Sequence, residues 1–301
     1  MPHTFDGVSD VVAGLASVGY VADEALATVV FLARRLGRPV LVEGPAGVGK
    51  TELARAVATM SDARLVRLQC YEGLDESRAL YEWNYRRQLL RITAEQGTGD
   101  GDTRWHAVED DLFTEEYLLE RPLLHALRAE DDVTLLIDEI DKVDVEFEAL
   151  LLELLDEFQV TIPELGTIVA ARRPFVVLTS NSTRELSEAL RRRCLFLYLD
   201  HPDRERELAI VRQRVPEAPA AIAEQVVALV ASLRRLDLRR PPSVAETLDW
   251  VRTLVALGVD TLDGDVARAT LGVVLKFRTD IEVADAHLAD TRSADADVGD
   301  R

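Results

Sequence analysis

Cysteine is nearly absent: Cys70 and Cys194 are the two thiols among 301 residues. Two thiols without metal-ligand spacing build neither a disulfide framework nor a cysteine metal cluster, and they fit a reducing, cytoplasmic setting. Long apolar runs are missing too. No segment approaches the roughly 18 uninterrupted apolar residues of a membrane span. The first ten residues, MPHTFDGVSD, lack the basic start and apolar stretch of a secretory signal. Positive charge is in deficit: 35 Lys and Arg stand against 54 Asp and Glu, a formal net charge of −19. Affinity for a phosphate backbone comes from neutralising phosphates and releasing counterions, so nucleic acid is not an expected partner. Only a local basic channel in a ring-shaped assembly would escape that argument. No repeat of solenoid period runs through the chain.

What is present is a set of short apolar strands separated by helical patterns. The length fits about two domains. PVLVEG (39–44), RLVRLQC (64–70), VTLLID (133–138), PFVVLTS (174–180) and LFLYLD (195–200) read as five buried strands, which predicts a parallel sheet covered by helices on both faces. Helices are expected over 8–19, 22–36 and 50–60. Residues 71–118 do not fit a simple strand–helix–strand step and read as an insertion, with a loop at EQGTGDGDTR (95–104). TEEYLLERPLLHAL (114–127) has helical periodicity. Phe147, Leu150, Leu151, Leu154, Leu155 and Phe158 trace one face of a helix. A β-hairpin is expected over about 158–173, turning near Glu164–Gly166. Beyond residue 200 the strands stop and four helical patterns follow, one opened by a Ser243/Glu246 capping box. The expected organisation is an α/β core over 1–200, a smaller all-α lid over 201–285, and a disordered polar tail over 286–301.

Gly44-Pro45-Ala46-Gly47-Val48-Gly49-Lys50-Thr51 matches G-x-x-x-x-G-K-[ST], between a predicted strand and a predicted helix. Glycines let successive N–H groups converge on an anion, and the helix that follows adds its positive end. Lys50 is expected to reach the β and γ phosphates of a nucleotide, and Thr51 to place a hydroxyl on Mg2+. Glu52 follows in the first helical turn. LLIDEID (135–141) ends an apolar strand in two carboxylates: Asp138 to hold Mg2+, Glu139 to act as general base on the attacking water. Asn181 ends another apolar strand and is placed to position water. Arg191, Arg192 and Arg193 precede the fifth strand, where a guanidinium from a neighbouring subunit would stabilise the charge that develops in phosphoryl transfer.

This ordered set, followed by a helical lid, resembles the AAA+ ATPases, and EGPAGVGKTELA, the insertion and the hairpin resemble the MoxR branch. LQCYEGLDESRALYEWNY and RPPSVAETLDW are similar to the ATPases that mature molybdenum hydroxylases such as carbon monoxide dehydrogenase. The resemblance covers about residues 20–285. It implies ATP and Mg2+ as cofactors, hydrolysis of ATP, a hexameric ring, and work on a client metalloenzyme, with a von Willebrand factor A domain protein as companion. It implies that Asn181 is the sensor-1 residue and that Arg192 or Arg193, the latter by its place before the strand, is the trans-acting finger. Tyr20 would lie over the adenine base. The lid helix PPSVAETLDW has no arginine at the usual sensor-2 position; Arg239 and Arg240 lie just upstream. Alternative readings of the same core are a nucleic-acid-dependent motor and a nucleotide-gated scaffold with little turnover. His106 and His125 lack ligand-like neighbours, and Tyr81, Trp83 and Tyr85 read as a packed face.

Overall fold

The computed structural model describes residues 5–96 and 112–298. His106 and most of the 95–104 loop lie outside the described residues. The chain forms two compact units. One contains Ala22–Glu43 and Thr51–Tyr198; the other contains Gly19–Val21, Gly44–Lys50 and the chain from Leu199 onward.

The first unit opens with α1 (Val8–Ser17) and α2 (Glu24–Leu36). Helix α2 starts where the Asp23 carboxylate accepts the Leu26 N–H at 2.7 Å, and stops where Gly37 turns left-handed. Then come β1 (Val40–Glu43), α3 (Lys50–Met60), β2 (Arg64–Gln69), α4 (Glu76–Ala79), β3 (Tyr81–Trp83) and α5 (Tyr85–Gln96). After them lie β4 (Leu118–Glu120), α6 (Pro122–Arg128), β5 (Val133–Asp138), α7 (Val145–Glu157), β6 (Gln159–Ile162) and β7 (Gly166–Val169). The unit closes with β8 (Phe175–Ser180), α8 (Glu188–Arg193) and β9 (Leu195–Tyr198).

Five strands make one parallel sheet in the order β2-β5-β8-β1-β9. Every residue of β1 and β5 is buried, as strands covered on both faces must be. Leu135, Leu136 and Ile137 are fully buried, each side chain contributing about 1.5–3 kcal/mol by leaving water. Register brings the carboxyl ends of the strands level: Gln69 pairs with Asp138, and Glu43 with Ser180. That edge collects the polar residues that end each apolar run.

Local chemistry overrides periodicity between 114 and 127. The expected continuous helix is instead a 3-10 turn at Glu115–Tyr117, strand β4 paired antiparallel with β3, and helix α6. Pro122 is the reason: its ring holds Arg121 extended (φ −101°, ψ 171°) and starts a new helix at its first position. The β6–β7 hairpin forms, with Gly166 at φ 81° after the turn. Phe158 is not the last helical residue; it caps α7 in the left-handed region at φ 52°.

In the second unit α9 (Arg204–Arg214), α10 (Ala220–Leu233), α11 (Val244–Ala256), α12 (Gly264–Val274) and α13 (Arg278–Val298) surround Trp250, Val226, Val230 and Leu271. The buried Trp250 indole donates to Thr270 Oγ1 at 2.8 Å. The polar stretch from 286, expected as a disordered tail, continues α13 as far as Val298. Five alanines between 284 and 296, with no Gly or Pro before Gly299, favour helix more than its polarity opposes it. No helix among the described residues is long and apolar enough to cross a membrane.

Candidate nucleotide site

The loop 44–50 leaves β1 and enters α3, and its backbone explains its glycines. Gly44 and Gly47 have φ of 152° and 77°. A Cβ on Gly44 would stand 2.0 Å from the Leu199 carbonyl oxygen, and one on Gly47 would stand 2.2 Å from Ser243 Oγ. Neither position admits a side chain. Lys50 is buried and donates from Nζ to the carbonyls of Gly44 and Pro45, both at 2.7 Å. The ammonium is thus folded into the cradle of its own loop, where a more highly charged group can displace the carbonyls. Pro45 and Val48 are half-buried, Ala46 is exposed, and Glu52 stands in the first turn of α3. Tyr20 is buried in the same unit as this loop; a Cβ on Gly49 would lie 3.9 Å from its ring. Ser243 begins α11 in a capping box with Glu246, as its spacing predicts.

Thr51, the next residue of α3, reaches the end of β5. Its hydroxyl donates to Asp138 Oδ1 at 3.0 Å. Thr179, from β8, donates to the same oxygen at 2.5 Å and accepts the Glu139 N–H at 2.9 Å. One hydroxyl therefore locks the two carboxylate residues to the neighbouring strand. Glu139 has φ 59°, an uncommon conformation for a residue with a Cβ, and such strain persists only where the surroundings over-determine it. Its Oε2 accepts from Gln69 Nε2 at 3.1 Å and pairs with Lys142 at 2.7 Å. That hydrogen bond and charge raise the Lys142 pKa above its usual value. Asp138 Oδ2 accepts from Arg67 Nε at 3.0 Å and Nη2 at 2.5 Å. Burial, then the charges of Asp138, Asp141 and Glu139, push the Cys70 thiol up to about 12, so it stays a thiol and no nucleophile.

Asn181 follows β8, and its N–H donates to Asp141 Oδ1 at 3.2 Å. Asp141 also accepts from the Thr183 N–H and hydroxyl at 3.0 and 2.6 Å. Burial alone would raise the Asp141 pKa, but these hydrogen bonds outweigh it and the net shift is downward. The three arginines of α8 go separate ways. Arg191 turns inward as a fork on the buried Glu43, with contacts of 2.6 and 3.3 Å. Arg193 bonds Asp156 at 2.9 Å. Arg192 is 76% exposed beside Glu188. Upstream of α11, Arg239 stacks on Phe277 at 4.3 Å and Arg240 lies 3.7 Å from Glu246, while the buried Asp280 accepts both of their N–H groups.

The residues fit a hard divalent cation. Thr51 and Asp138 bring a hydroxyl and a carboxylate within hydrogen-bond distance, and oxygen donors are what Mg2+ takes. Bound there, Mg2+ would neutralise phosphate charge as the terminal phosphoryl group departs. Sequence reasoning did not single out Arg67, Gln69, Thr179 or Asp141. The signal for Gln69 lies in strand register, since it closes β2 opposite Asp138.

Residues 39–194 match the model of the AAA domain family, dynein-related subfamily. The chain is an AAA ATPase. It hydrolyses ATP and takes it with Mg2+. Its sequence is 30% identical over 267 residues to the gas vesicle ATPase GvpN of Haloferax mediterranei, covering 84% of this chain and 71% of that protein. It is 27% identical to gas vesicle ATPase GvpN1 of Halobacterium salinarum, covering 82% and 71%. Among solved structures, the Thermotoga maritima RuvB P216G mutant is similar at a TM-score of 0.47 and 18% identity, covering 91% of this chain and 73% of that one.

Proposed function

We propose that this AAA ATPase is a MoxR-type remodelling chaperone that works in the cytoplasm as a hexameric ring. The observation that carries the reading is the array Thr51–Asp138–Thr179–Glu139, in which two strands and a helix fix a metal-binding carboxylate and a general base side by side. Gly44–Thr51 and Tyr20 hold the nucleotide. Glu139 takes a proton from the attacking water, Asn181 orients that water, and Arg192 or Arg193 of the neighbouring subunit meets the developing charge. The exposure of Arg192 favours it for action in trans, and Arg193 must first leave Asp156. Positioning and charge neutralisation are the main catalytic tasks in such a transfer.

For the client we favour a molybdenum hydroxylase of the carbon monoxide dehydrogenase kind, on the motifs LQCYEGLDESRALYEWNY and RPPSVAETLDW, with a von Willebrand factor A domain protein as adaptor. The gas vesicle named for the two GvpN relatives supports a second client, a gas vesicle protein. Glu139→Gln, loaded with Mg-ATP in the native host, decides between them. Recovery of a molybdenum hydroxylase supports the first, and recovery of a gas vesicle protein the second. Mixing Arg192→Ala or Arg193→Ala subunits with Asp138→Asn subunits tests the shared site: partial recovery of phosphate release is expected, and none would argue against a ring.

A further inference from the structure

Arg67 is an odd residue to find at Asp138. The carboxylate that the site reserves for a cation is already held by one. Asp138 is almost fully buried, and its four close contacts are the hydroxyls of Thr51 and Thr179 on Oδ1 and the Arg67 fork on Oδ2. The hydroxyls are neutral and compatible with a metal ion; the guanidinium is not, because two cations on one carboxylate repel each other. Arg67 has somewhere to go. Its side chain is 42% exposed, against 4% for Asp138. It rises from β2, an edge strand of the sheet, and its other close partner is the Gln69 side chain. Gln69 in turn holds Glu139 at 3.1 Å.

We infer that Arg67 is a displaceable counter-ion that occupies Asp138 until Mg2+ arrives and must leave for the metal to bind. This makes Arg67 a positioning residue, acting through Asp138 and Gln69. It keeps a buried carboxylate from standing bare, which would be costly. It also sets the Mg2+ concentration at which nucleotide is held productively, and its departure frees the Gln69 carbonyl that it shares. The inference rests on Asp138 as the metal-binding carboxylate.

The test is the Mg2+ dependence of binding of a fluorescent ATP analogue, with the melting temperature of the nucleotide-free protein measured beside it. Arg67→Gln should lower that melting temperature, yet reduce the half-saturating Mg2+ concentration by on the order of tenfold, since removing a competing charge favours the metal. Arg67→Lys, which keeps the charge and loses the fork, should stay near the parent. If Arg67→Gln melts lower while needing the same or more Mg2+, the arginine is merely structural and the inference fails. If Asp138→Asn leaves the Mg2+ dependence unchanged, the metal assignment has failed instead, and the two failures are told apart.

Discussion

Asp138 in the sheet unit and Glu207 in the helical unit look alike at first. Each is a buried carboxylate accepting from an arginine fork and a threonine hydroxyl. Glu207 takes Arg234 at 2.6 and 2.8 Å and Thr247 Oγ1 at 2.7 Å. The difference lies in the cation. Arg234 is 12% exposed and is tied again through Nε to the Pro242 carbonyl at 2.7 Å. Arg67 is mostly held by what it must give up. A sealed pair is costly to break, because removing either partner strands a buried charge. An open pair can exchange one cation for another, and its worth is read in binding and turnover.

The sharpest way to break this contrast is to ask each region for the phenotype of the other. Glu139→Gln should lower the rate of phosphate release by about 10²–10⁴, the usual worth of a general base, with ATP binding and melting temperature near the parent. A large fall in melting temperature would show that the carboxylate edge is structural. Glu207→Ala should do the reverse, destabilising the helical unit by about 3–5 kcal/mol in denaturant unfolding. The double change Glu207→Leu with Arg234→Met should recover most of that loss, since a buried pair and an apolar pair of similar volume are often equivalent. Failure to recover would mean the pair also specifies how α9, α10 and α11 pack.

Gly47→Ala is smaller in stability and still visible. A left-handed alanine costs of order 1–3 kcal/mol, and its methyl would collide with Ser243 at the start of α11. Ser243→Gly, which costs only a few tenths of a kcal/mol at a helix N-cap, should relieve the collision but not the backbone strain. A double-mutant cycle by thermal melting should therefore show positive coupling between the two positions; simple additivity would place the cost wholly in the backbone.

The glycine loop was legible because its chemistry is written in consecutive residues: only glycine tolerates Gly44 and Gly47, and Lys50 and Thr51 follow at fixed spacing. The five strands were legible because sheet burial demands near-continuous apolar runs. What stayed hidden was set by pairing across the chain. Arg67 and Gln69 read as polar residues in an ordinary strand until β2 is laid beside β5. Arg191, Arg192 and Arg193 read as one cluster, and a single helical turn sends one to Glu43, one to solvent and one to Asp156. The 286–298 stretch misled in another way, since its acidic polarity masked an alanine content that favours helix.

The smallest effect concerns pH. His201, in the helical unit, is half-buried, and its Nδ1 meets no partner among the described residues. Burial first, and then the Arg234 charge, lower its pKa below the ordinary 6.5, although Asp200, Glu207 and Glu246 pull the other way. The unfolded chain therefore takes up this proton at a higher pH than the folded one. Stability from His201 is fully present above pH 6.5 and drains away as pH falls through the lowered value. His201→Asn should flatten that part of the melting-temperature curve between pH 7.5 and 5 while leaving the neutral plateau near the parent. If the slope is unchanged, the loss on acidification belongs to the carboxylates, and the sealed pair beside His201 does not feel the imidazole.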